Sequence, residues 1–325
     1  MQENNTAAAV GAEHAEGPQK PSPKHKGFAT AKKKDLIFYC ILSAFPIAQF
    51  AIFYVGVNFN SFLLAFKSYD AVTGVMSWVG FDNIVDAFKA MTTQYELTVA
   101  AKNSIIAYLC GLLIGVPLAL LFSYYIYKKM FLSGFFRVVL FLPSILSAIA
   151  MSVMFYYFAA RAIPEYLETL FGSQIRGLLS NPDTAFATLI FYTNWIGFGT
   201  STLMYSGAMN SISESVVEAA ELDGASPLRE FISVTLPLIY PTIVTFLVVG
   251  VAGIFTQQLN IYSMYGTGAE TYLNTFGYYL YRETSKMHMS DYPLLSSLGL
   301  LMTIVAAPLT LIVKYLLEKF GPSVD

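Results

Sequence analysis

The chain has 325 residues, of which 55% are apolar and 12% are charged, and its mean hydropathy is +0.55. A soluble domain carries about twice that charged fraction, so this composition excludes an ordinary soluble protein and indicates an integral membrane protein. The net charge of −2 argues against nucleic acid as a partner. The two cysteines lie in apolar runs and the three histidines are scattered, so we expect packed thiols and no metal site.

Six segments are long and apolar enough to cross about 30 Å of hydrocarbon as helices, which takes about 20 residues. The predicted spans are 36–58, 103–126, 138–160, 185–208, 237–259 and 293–316. Residues 1–35 are rich in Ala, Gly, Pro, Glu and Lys, and we expect a disordered basic tail there instead of a cleaved signal. The expected fold class is therefore an all-α integral membrane protein with six transmembrane helices, and its transmembrane domain covers 36–325.

The distribution of basic residues predicts the orientation, because cytoplasmic loops are enriched in Lys and Arg. An N-terminus inside the cell places the basic tail, the 127–137 loop and the C-terminal end in the cytoplasm. The 209–236 loop is then cytoplasmic as well, although it is acidic and contains the single basic residue Arg229. An acidic loop is better suited to a basic protein surface than to anionic lipid.

This acidic loop predicts two short helices joined by a turn, at about 211–235. Ser215 stands three residues before Glu218 and Ser211 three before Glu214, and either pair has the spacing of a capping box, so we expect a helix to start within 211–216. Gly224 accepts the positive φ that ends a helix, and Ser226 followed by Pro227 is typical of the start of the next one. A structured acidic loop without a partner is the alternative interpretation.

The same loop resembles a known family. Glu218-Ala219-Ala220, then Gly224, then Val234-Thr235-Leu236-Pro237 resemble the EAA motif (E-A-A, G, then I-x-L-P) of ATP-binding-cassette importer permeases. The extended form E-A-A-x-x-D-G-A is similar to the carbohydrate-uptake branch, on the side of the maltose-type first permease subunit. Trp78-Val79-Gly80-Phe81-Asp82-Asn83 and Lys102-Asn103-Ser104 are looser matches to that branch.

The resemblance implies that the two short helices dock on an ATPase subunit. The residues it assigns to this coupling are Glu218, Ala219, Ala220, Asp223, Gly224, Leu236 and Pro237. It also implies a second permease subunit, two ATPase subunits and an extracytoplasmic solute-binding protein, assembled in a bacterial cytoplasmic membrane. ATP and Mg would be used by the partner ATPase, so we expect no cofactor on this chain. The sequence has no G-x-x-x-x-G-K-[ST] phosphate loop, and we expect no enzyme.

Away from their ends, the predicted spans contain no Asp, Glu, Lys, Arg or His. Ion-coupled carriers usually keep such residues in the membrane, so a stand-alone ion-coupled carrier for a small neutral solute remains the less favoured alternative, beside a membrane-anchored scaffold. The neutral residues that we predict to bind substrate are Asn194, Tyr192, Trp195, Gln257, Gln258 and Asn260. Amides and aromatic rings suit a sugar, an oligosaccharide before a polyol or a uronic acid oligomer, but they also suit an interfacial belt or helix packing.

Overall fold

A computed structural model describes residues 28–172 and 176–322. Most of the predicted tail, residues 1–27, lies outside the described residues. The described chain is mainly helical, as the sequence predicted, and it divides into two compact units, Met1–Phe59 and Asn60–Asp325.

The first helix, α1, begins at Phe28 and continues to Leu64, with wider π turns at Phe50–Gly56. The helix therefore begins inside the predicted tail, which was expected to end at residue 35. Residues 29–34 are Ala, Thr and Lys, and Ala and Lys favour the helical backbone. Over Asp35–Leu64 the most apolar window of this helix has no buried residue, as expected for a helix surrounded by lipid.

The second unit begins with a small element that the sequence did not predict. Strands β1 (Lys67–Tyr69) and β2 (Met76–Trp78) form an antiparallel hairpin, which leads into helix α2 (Asp82–Thr93). The side-chain amide of Asn83 donates hydrogen bonds to the carbonyl oxygens of Ala65 at 3.1 Å and Lys67 at 2.6 Å. Asn83 therefore fastens the start of α2 to the hairpin.

The other helices follow in chain order. They are α3 (Tyr95–Tyr127), α4 (Ser133–Ile145), α5 (Ala148–Phe171), α6 (Pro182–Met209), α7 (Glu214–Leu222), α8 (Pro227–Leu238), α9 (Tyr240–Ala252), α10 (Ile261–Tyr265), α11 (Phe276–Ser285) and α12 (Tyr292–Phe320). Among the described residues, 3 helices are long and apolar enough to cross a membrane: the Asp35–Leu64 part of α1, the whole of α3 and the whole of α12. The number of candidate spans rises to 5 if the bent pairs α4–α5 and α8–α9 each count as one span. Helix α6 covers the fourth predicted span, but its many polar residues keep it outside this set.

The predicted span 138–160 is not one straight helix. Helices α4 and α5 meet at an angle of 98°, and the backbone at Leu146 is extended between them. Pro143 lies one turn before this break and cannot donate a backbone hydrogen bond, and the Ser144 hydroxyl donates to the Phe141 carbonyl instead of to solvent. The predicted single span therefore contains a complete helix break about one turn after Pro143.

The predicted span 237–259 is also divided. Helices α8 and α9 meet at 69° around Ile239, and α9 ends at Ala252, well before residue 259. Pro237 and Pro241 lie on either side of the break, and each removes one helical donor. The residues after Ala252 follow an irregular path, so the polar side chains predicted at the outer end of this span do not stand on a helix.

Several prolines follow a wider helical turn that accommodates their rings. In three places the N–H of the residue before a proline donates to the carbonyl oxygen of the residue five positions earlier. These pairs are Val116 to Gly111, Ile163 to Phe158 and Leu236 to Phe231. A π turn of this kind gives the proline ring room and still satisfies the neighbouring donor. Helix α3 consequently continues through Pro117, and α12 continues through Pro308.

Helix α6 packs between α3 and α4. The Ser123 hydroxyl of α3 donates to the Thr202 carbonyl at 3.0 Å. On the other side, a Cβ at Gly199 would lie 2.1 Å from the Leu140 carbonyl oxygen of α4. The two backbones approach this closely only because Gly199 has no side chain.

Candidate coupling and solute sites

We call residues 214–238, which contain α7 and α8, the acidic hairpin. Helix α7 begins at Glu214, with Ser213 at its N-cap. The Ser213 hydroxyl lies 2.8 Å from the Ser215 hydroxyl, and it makes no capping bond to the backbone. The helix therefore starts within the predicted range 211–216, but the capping box predicted from Ser215 and Glu218 is wrong, because the helix has already begun when the chain reaches Ser215.

The turn of the acidic hairpin is the one predicted from the sequence. Gly224 has a φ of +75°, and the Ala225 N–H donates to the Ala220 carbonyl at 3.0 Å, which closes the end of α7. The Ser226 hydroxyl accepts from the Arg229 N–H at 3.4 Å, and Pro227 occupies the first turn of α8.

The predicted coupling residues divide into two groups by exposure. Exposed are Glu218, Ala219, Asp223 and Gly224, and half-buried are Ala220, Leu236 and Pro237. Two large apolar side chains are also unusually open, with Leu222 89% exposed and Leu228 63% exposed. The tip of the acidic hairpin thus presents acidic, small and apolar groups together, which is the composition of a surface that another protein covers.

A pocket of about 130 Å³, lined by both apolar and polar side chains, lies between α3 and α6. Its lining includes Gly111, Gly115, Asn194, Gly197, Ser201 and Tyr205. The Asn194 amide nitrogen donates to the Ile190 carbonyl at 2.9 Å, which leaves its oxygen directed toward the α3 glycines. A Cβ at Gly115 would lie 2.6 Å from that oxygen, so a larger residue there would force the Asn194 amide to move.

The other predicted residues of α6 lie on a different face. Tyr192 is 1% exposed, its hydroxyl lies 3.0 Å from the Ser152 hydroxyl, and its ring centroid lies 4.6 Å from that of Phe155. Trp195 packs against Phe155 with a centroid distance of 6.2 Å. The structure therefore uses Tyr192 and Trp195 to pack α6 against α5, and among the predicted aromatic and amide residues of α6 it directs Asn194 to the pocket.

The three residues predicted at the end of span five lie in the irregular segment after α9. Gln257 is exposed, Gln258 is half-buried, and Asn260 has a φ of 57°. The Gln257 carbonyl accepts a hydrogen bond from the Thr275 hydroxyl at 2.7 Å. The described residues that line the pocket beside Asn194 do not include these three side chains.

We call the contact between the start of α3 and the start of α11 the α3–α11 junction. Asn103 is 7% exposed, and its amide nitrogen donates to the carbonyl oxygens of Tyr272 at 2.8 Å and Asn274 at 2.9 Å. The Ser104 hydroxyl accepts from the Phe276 N–H at 2.9 Å. The looser K-N-S match noted in the sequence therefore has a structural role, which is to fix the segment before α11.

Charged residues complete the same junction. Glu96 accepts from the Asn274 amide at 2.6 Å and from Arg282 at 2.5 Å, and Arg282 also contacts Glu283 at 2.8 Å. Burial alone would raise the pKa of Glu283, but hydrogen bonds from Lys286 and Arg282 outweigh it and hold that pKa below its ordinary value. Glu283 is therefore ionised at neutral pH and contributes to the network.

The pairing of Lys128 with Glu230 was not predicted from the sequence, although their charged atoms lie 2.8 Å apart. Glu230 stands directly before the apolar residues Phe231 and Ile232, but no local pattern specifies Lys128 as its partner. The glycines at 111 and 115 were also missed, and their G-x-x-x-G spacing is typical of close helix packing.

Comparison with known proteins identifies the family. The family model described as "Binding-protein-dependent transport system inner membrane component" matches residues 111–325. The probable ABC transporter permease protein YurN of Bacillus subtilis is 25% identical over 271 residues, which are 82% of this chain and 91% of that protein. The multiple sugar-binding transport system permease protein MsmF of Streptococcus mutans is 22% identical over 283 residues, 85% of this chain and 93% of that protein.

The fold has a counterpart among solved structures. A chain in the crystal structure of a bacterial ABC transporter involved in the import of the acidic polysaccharide alginate superposes with a TM-score of 0.74 at 21% identity, over 90% of this chain and 98% of that one. The relatives are permease proteins, as the EAA-like spacing predicted. This chain belongs to the family of inner membrane components of binding-protein-dependent transport systems.

Proposed function

We propose that this chain is one permease subunit of an ATP-binding-cassette importer for a carbohydrate, with an oligosaccharide as the first choice, delivered by an extracytoplasmic binding protein. Family membership supports the class of transporter. The carbohydrate is supported by the named cargo of two similar proteins, multiple sugars in one and alginate in the other. The ion-coupled carrier is no longer favoured, since this family takes its solute from a binding protein.

The proposed topology has six crossings, made by α1, α3, the α4–α5 pair, α6, the α8–α9 pair and α12. Counting each bent pair as one span supports five of them. Helix α6 makes the sixth crossing. Packing between α3 and α4 then shields its polar residues from lipid. Both termini lie in the cytoplasm of a bacterial cell by the distribution of basic residues, with the acidic hairpin on the same side.

The observation that carries the proposal is the form of the acidic hairpin. Its tip exposes Glu218, Ala219, Asp223 and Gly224 on a rigid support, because Pro227 and Phe231 of α8 are held by Tyr124 of α3. We assign this tip to the groove of a partner ATPase, with Glu218 facing a basic residue there and the small Ala219 side chain allowing close approach. Leu236 and Pro237 then carry the movement toward α9.

The pocket beside Asn194 is the proposed contact with solute. Its hydroxyl groups and one amide offer hydrogen bonds without any charge, which suits the hydroxyl groups of a sugar. In this proposal Tyr192 and Trp195 support α6 from behind, and Gln257, Gln258 and Asn260 belong to a separate segment near the entry side. The second permease subunit would supply the opposite wall of the path.

The experiment that tests this function is affinity purification of the tagged chain from its native membrane in mild detergent, followed by mass spectrometry. We expect a phosphate-loop ATPase and a second permease to accompany it. Recovery of the chain alone or only with further copies of itself, without an ATPase, would contradict the proposal.

A variant of the turn makes the same test sharper. Gly224→Asp should abolish uptake of labelled neutral and uronic acid oligosaccharides in cells while ATP hydrolysis by the complex continues. A Cβ at Gly224 would meet no atom within 4 Å, so the variant is not crowded, but a side chain at a φ of +75° strains the backbone and this strain needs a control. Gly74→Asp is the control, because Gly74 has a similar φ of +69° but lies at the β1–β2 turn. Normal uptake by Gly224→Asp would overturn the assignment of the hairpin.

A further inference from the structure

We propose that Lys128 is a positioning residue that joins the acidic hairpin to α3 and so carries hairpin movement to the pocket beside Asn194. This inference rests on the proposed function, because it concerns the transmission of ATPase movement. Lys128 follows the last turn of α3, and its ammonium group lies 3.0 Å from a carboxylate oxygen of Glu221 and 2.8 Å from one of Glu230. A single side chain of α3 thus contacts both helices of the hairpin.

The two contacts differ in strength because they differ in burial. Glu221 is 59% exposed, so solvent screens its contact with Lys128. Glu230 is 2% exposed, and its second carboxylate oxygen has no hydrogen-bond partner among the described residues. A buried carboxylate that loses its cation is left as an uncompensated charge, which is strongly unfavourable. Separation of α8 from Lys128 is therefore disfavoured, and the two must move together.

The charge state of Lys128 supports the same conclusion. Burial lowers the pKa of Lys128, but hydrogen bonds to Glu230 and Glu221 outweigh that effect and raise the pKa to about 12. The ammonium group therefore stays charged at every pH at which cells live. The positive charge that Lys128 brings to the contact with Glu230 therefore does not change with pH in cells.

A second attachment lies one turn earlier on α3. The Tyr124 hydroxyl donates to the Pro227 carbonyl at 2.9 Å, at the first turn of α8. The Tyr124 ring also packs against Phe231, with a centroid distance of 4.8 Å, and Phe231 is 6% exposed. Tyr124 and Lys128 are four residues apart and lie on one face of α3. Together they hold the start of α8 at two points along the same helix.

Helix α3 connects this attachment to the pocket. Gly115 lines the pocket and lies 13 residues before Lys128 in the same helix, which at 1.5 Å per residue is about 20 Å. The route through α8 and α9 is less direct, because those helices meet at 69° around Ile239. An uninterrupted helix transmits displacement better than a bent pair. The π turns at Gly111–Gly115 also place the least regular part of α3 at the pocket itself.

The test measures pocket accessibility in the complex purified with its partners, and it needs no knowledge of the solute. Cys40 and Cys110 are replaced by Ala, and Ser201→Cys places one thiol in the lining of the pocket. The probe is N-ethylmaleimide, and its rate of labelling is compared between the nucleotide-free complex and the complex with a non-hydrolysable ATP analogue. We call the complex that carries these cysteine substitutions and the original Lys128 the background complex. In it we expect the labelling rate to change about tenfold between the two nucleotide states.

Substitution of the lysine should remove that change without removing ATP hydrolysis. We expect Lys128→Gln to label at nearly the same rate in both states, Lys128→Arg to recover most of the difference, and Tyr124→Phe to reduce it in part. Lys129→Gln is the matched control, since Lys129 is the exposed neighbour and should leave the difference intact. A full nucleotide-dependent change in an assembled Lys128→Gln complex would overturn the inference.

The outcomes separate this inference from the proposed function. If the background complex contains no ATPase, or its labelling ignores the nucleotide, the proposed function fails. If the background responds and Lys128→Gln responds equally, only the role of Lys128 fails. Should Lys128→Gln not assemble, Lys128→Met with Glu230→Met removes both charges and leaves no buried charge unpaired. Normal coupling in that double variant would contradict the inference, and assembly with lost coupling would support it.

Discussion

Two polar regions border the same helix, and they use their polar groups in opposite ways. At the α3–α11 junction, the Asn103 amide donates hydrogen bonds to backbone carbonyls within residues 272–276, and the Ser104 hydroxyl accepts one from a backbone N–H there. At the pocket, the oxygen of Asn194 faces the glycines of α3, and Ser201 lines open space. The donors of Asn103 at the junction are therefore paired with backbone groups, whereas the Asn194 oxygen at the pocket faces a cavity.

The different hydrogen bonding of these two regions shows that polarity inside a membrane chain does not by itself indicate solute contact. Buried polar groups are costly unless they are paired, so a paired group is explained by the fold. A polar group that faces a cavity is not explained in this way and is free to serve a ligand. By this criterion we propose a solute contact for Asn194 and a structural role for Asn103, although both are asparagines in apolar helices.

The largest effect on stability should come from the junction. Asn103→Leu keeps the volume of the side chain but removes the donor to two carbonyl oxygens, at Tyr272 and Asn274. Each buried carbonyl left without a donor costs about 1–3 kcal/mol, so we expect destabilisation of about 2–4 kcal/mol. The measurement is thermal unfolding of the purified protein in detergent.

The control for this variant is its neighbour. Lys102 is exposed, and Lys102→Gln should change the free energy of unfolding by less than about 0.5 kcal/mol. If Asn103→Leu unfolds at the same temperature as Lys102→Gln, the junction is not a structural network and the contrast with the pocket is lost.

The pocket should respond in a different way, with a smaller loss of stability and a larger loss of transport. In Gly115→Ala the new Cβ would lie 2.6 Å from the Asn194 oxygen, so the amide must turn away. Overpacking of this kind costs about 1–3 kcal/mol. We expect KM for uptake to rise while the complex still assembles. Gly111→Ala is the matched control, because its Cβ would lie at an ordinary contact distance of 3.5 Å from the same oxygen.

A double variant separates crowding from loss of the amide. Gly115→Ala with Asn194→Ala removes the atom that clashes, so stability should return toward its original value. Transport should not return, because the amide is absent. Recovery of transport together with stability would mean that Asn194 does not contact the solute.

Local features of this fold were predictable because neighbouring residues determine them. Gly224 ended α7 and Ser226 with Pro227 began α8, as the spacing indicated. These features need only φ preferences and short hydrogen bonds. The positions of the long apolar helices followed from hydropathy, but Pro143 gave no indication that α4 and α5 would meet at 98°.

Long-range pairings were not predictable from one sequence. Asn103 contacts the carbonyl of Asn274, 171 residues further along the chain, and no local pattern specifies that partner. The same is true of Lys128 with Glu230. The substrate residues predicted on α6 came from polarity and position, and only the packing of the helix showed that Tyr192 turns away from Asn194.

The smallest effect should come from the charged end of the junction, and it should depend on pH. Glu283 has a pKa below its ordinary value in the folded protein, so its ionised form stabilises the fold. That contribution is fully present above the unfolded pKa of about 4.5 and is lost as the pH falls through the lower folded value. Glu283→Gln should therefore unfold at a lower temperature than the original protein at pH 7, by an amount worth about 0.5–1 kcal/mol.

The pH dependence distinguishes a charge network from a simple packing contact. The difference between Glu283→Gln and the original protein should shrink as the pH is lowered below about 4, because protonation then gives the original protein a neutral side chain too. Asp86→Asn is the control, since its pair with Lys89 is 63% and 67% exposed and should contribute nothing measurable. A difference that stays constant from pH 7 to pH 3 would mean that Glu283 acts by packing, and the network at the junction would then consist of the hydrogen bonds of Asn103 and Ser104 alone.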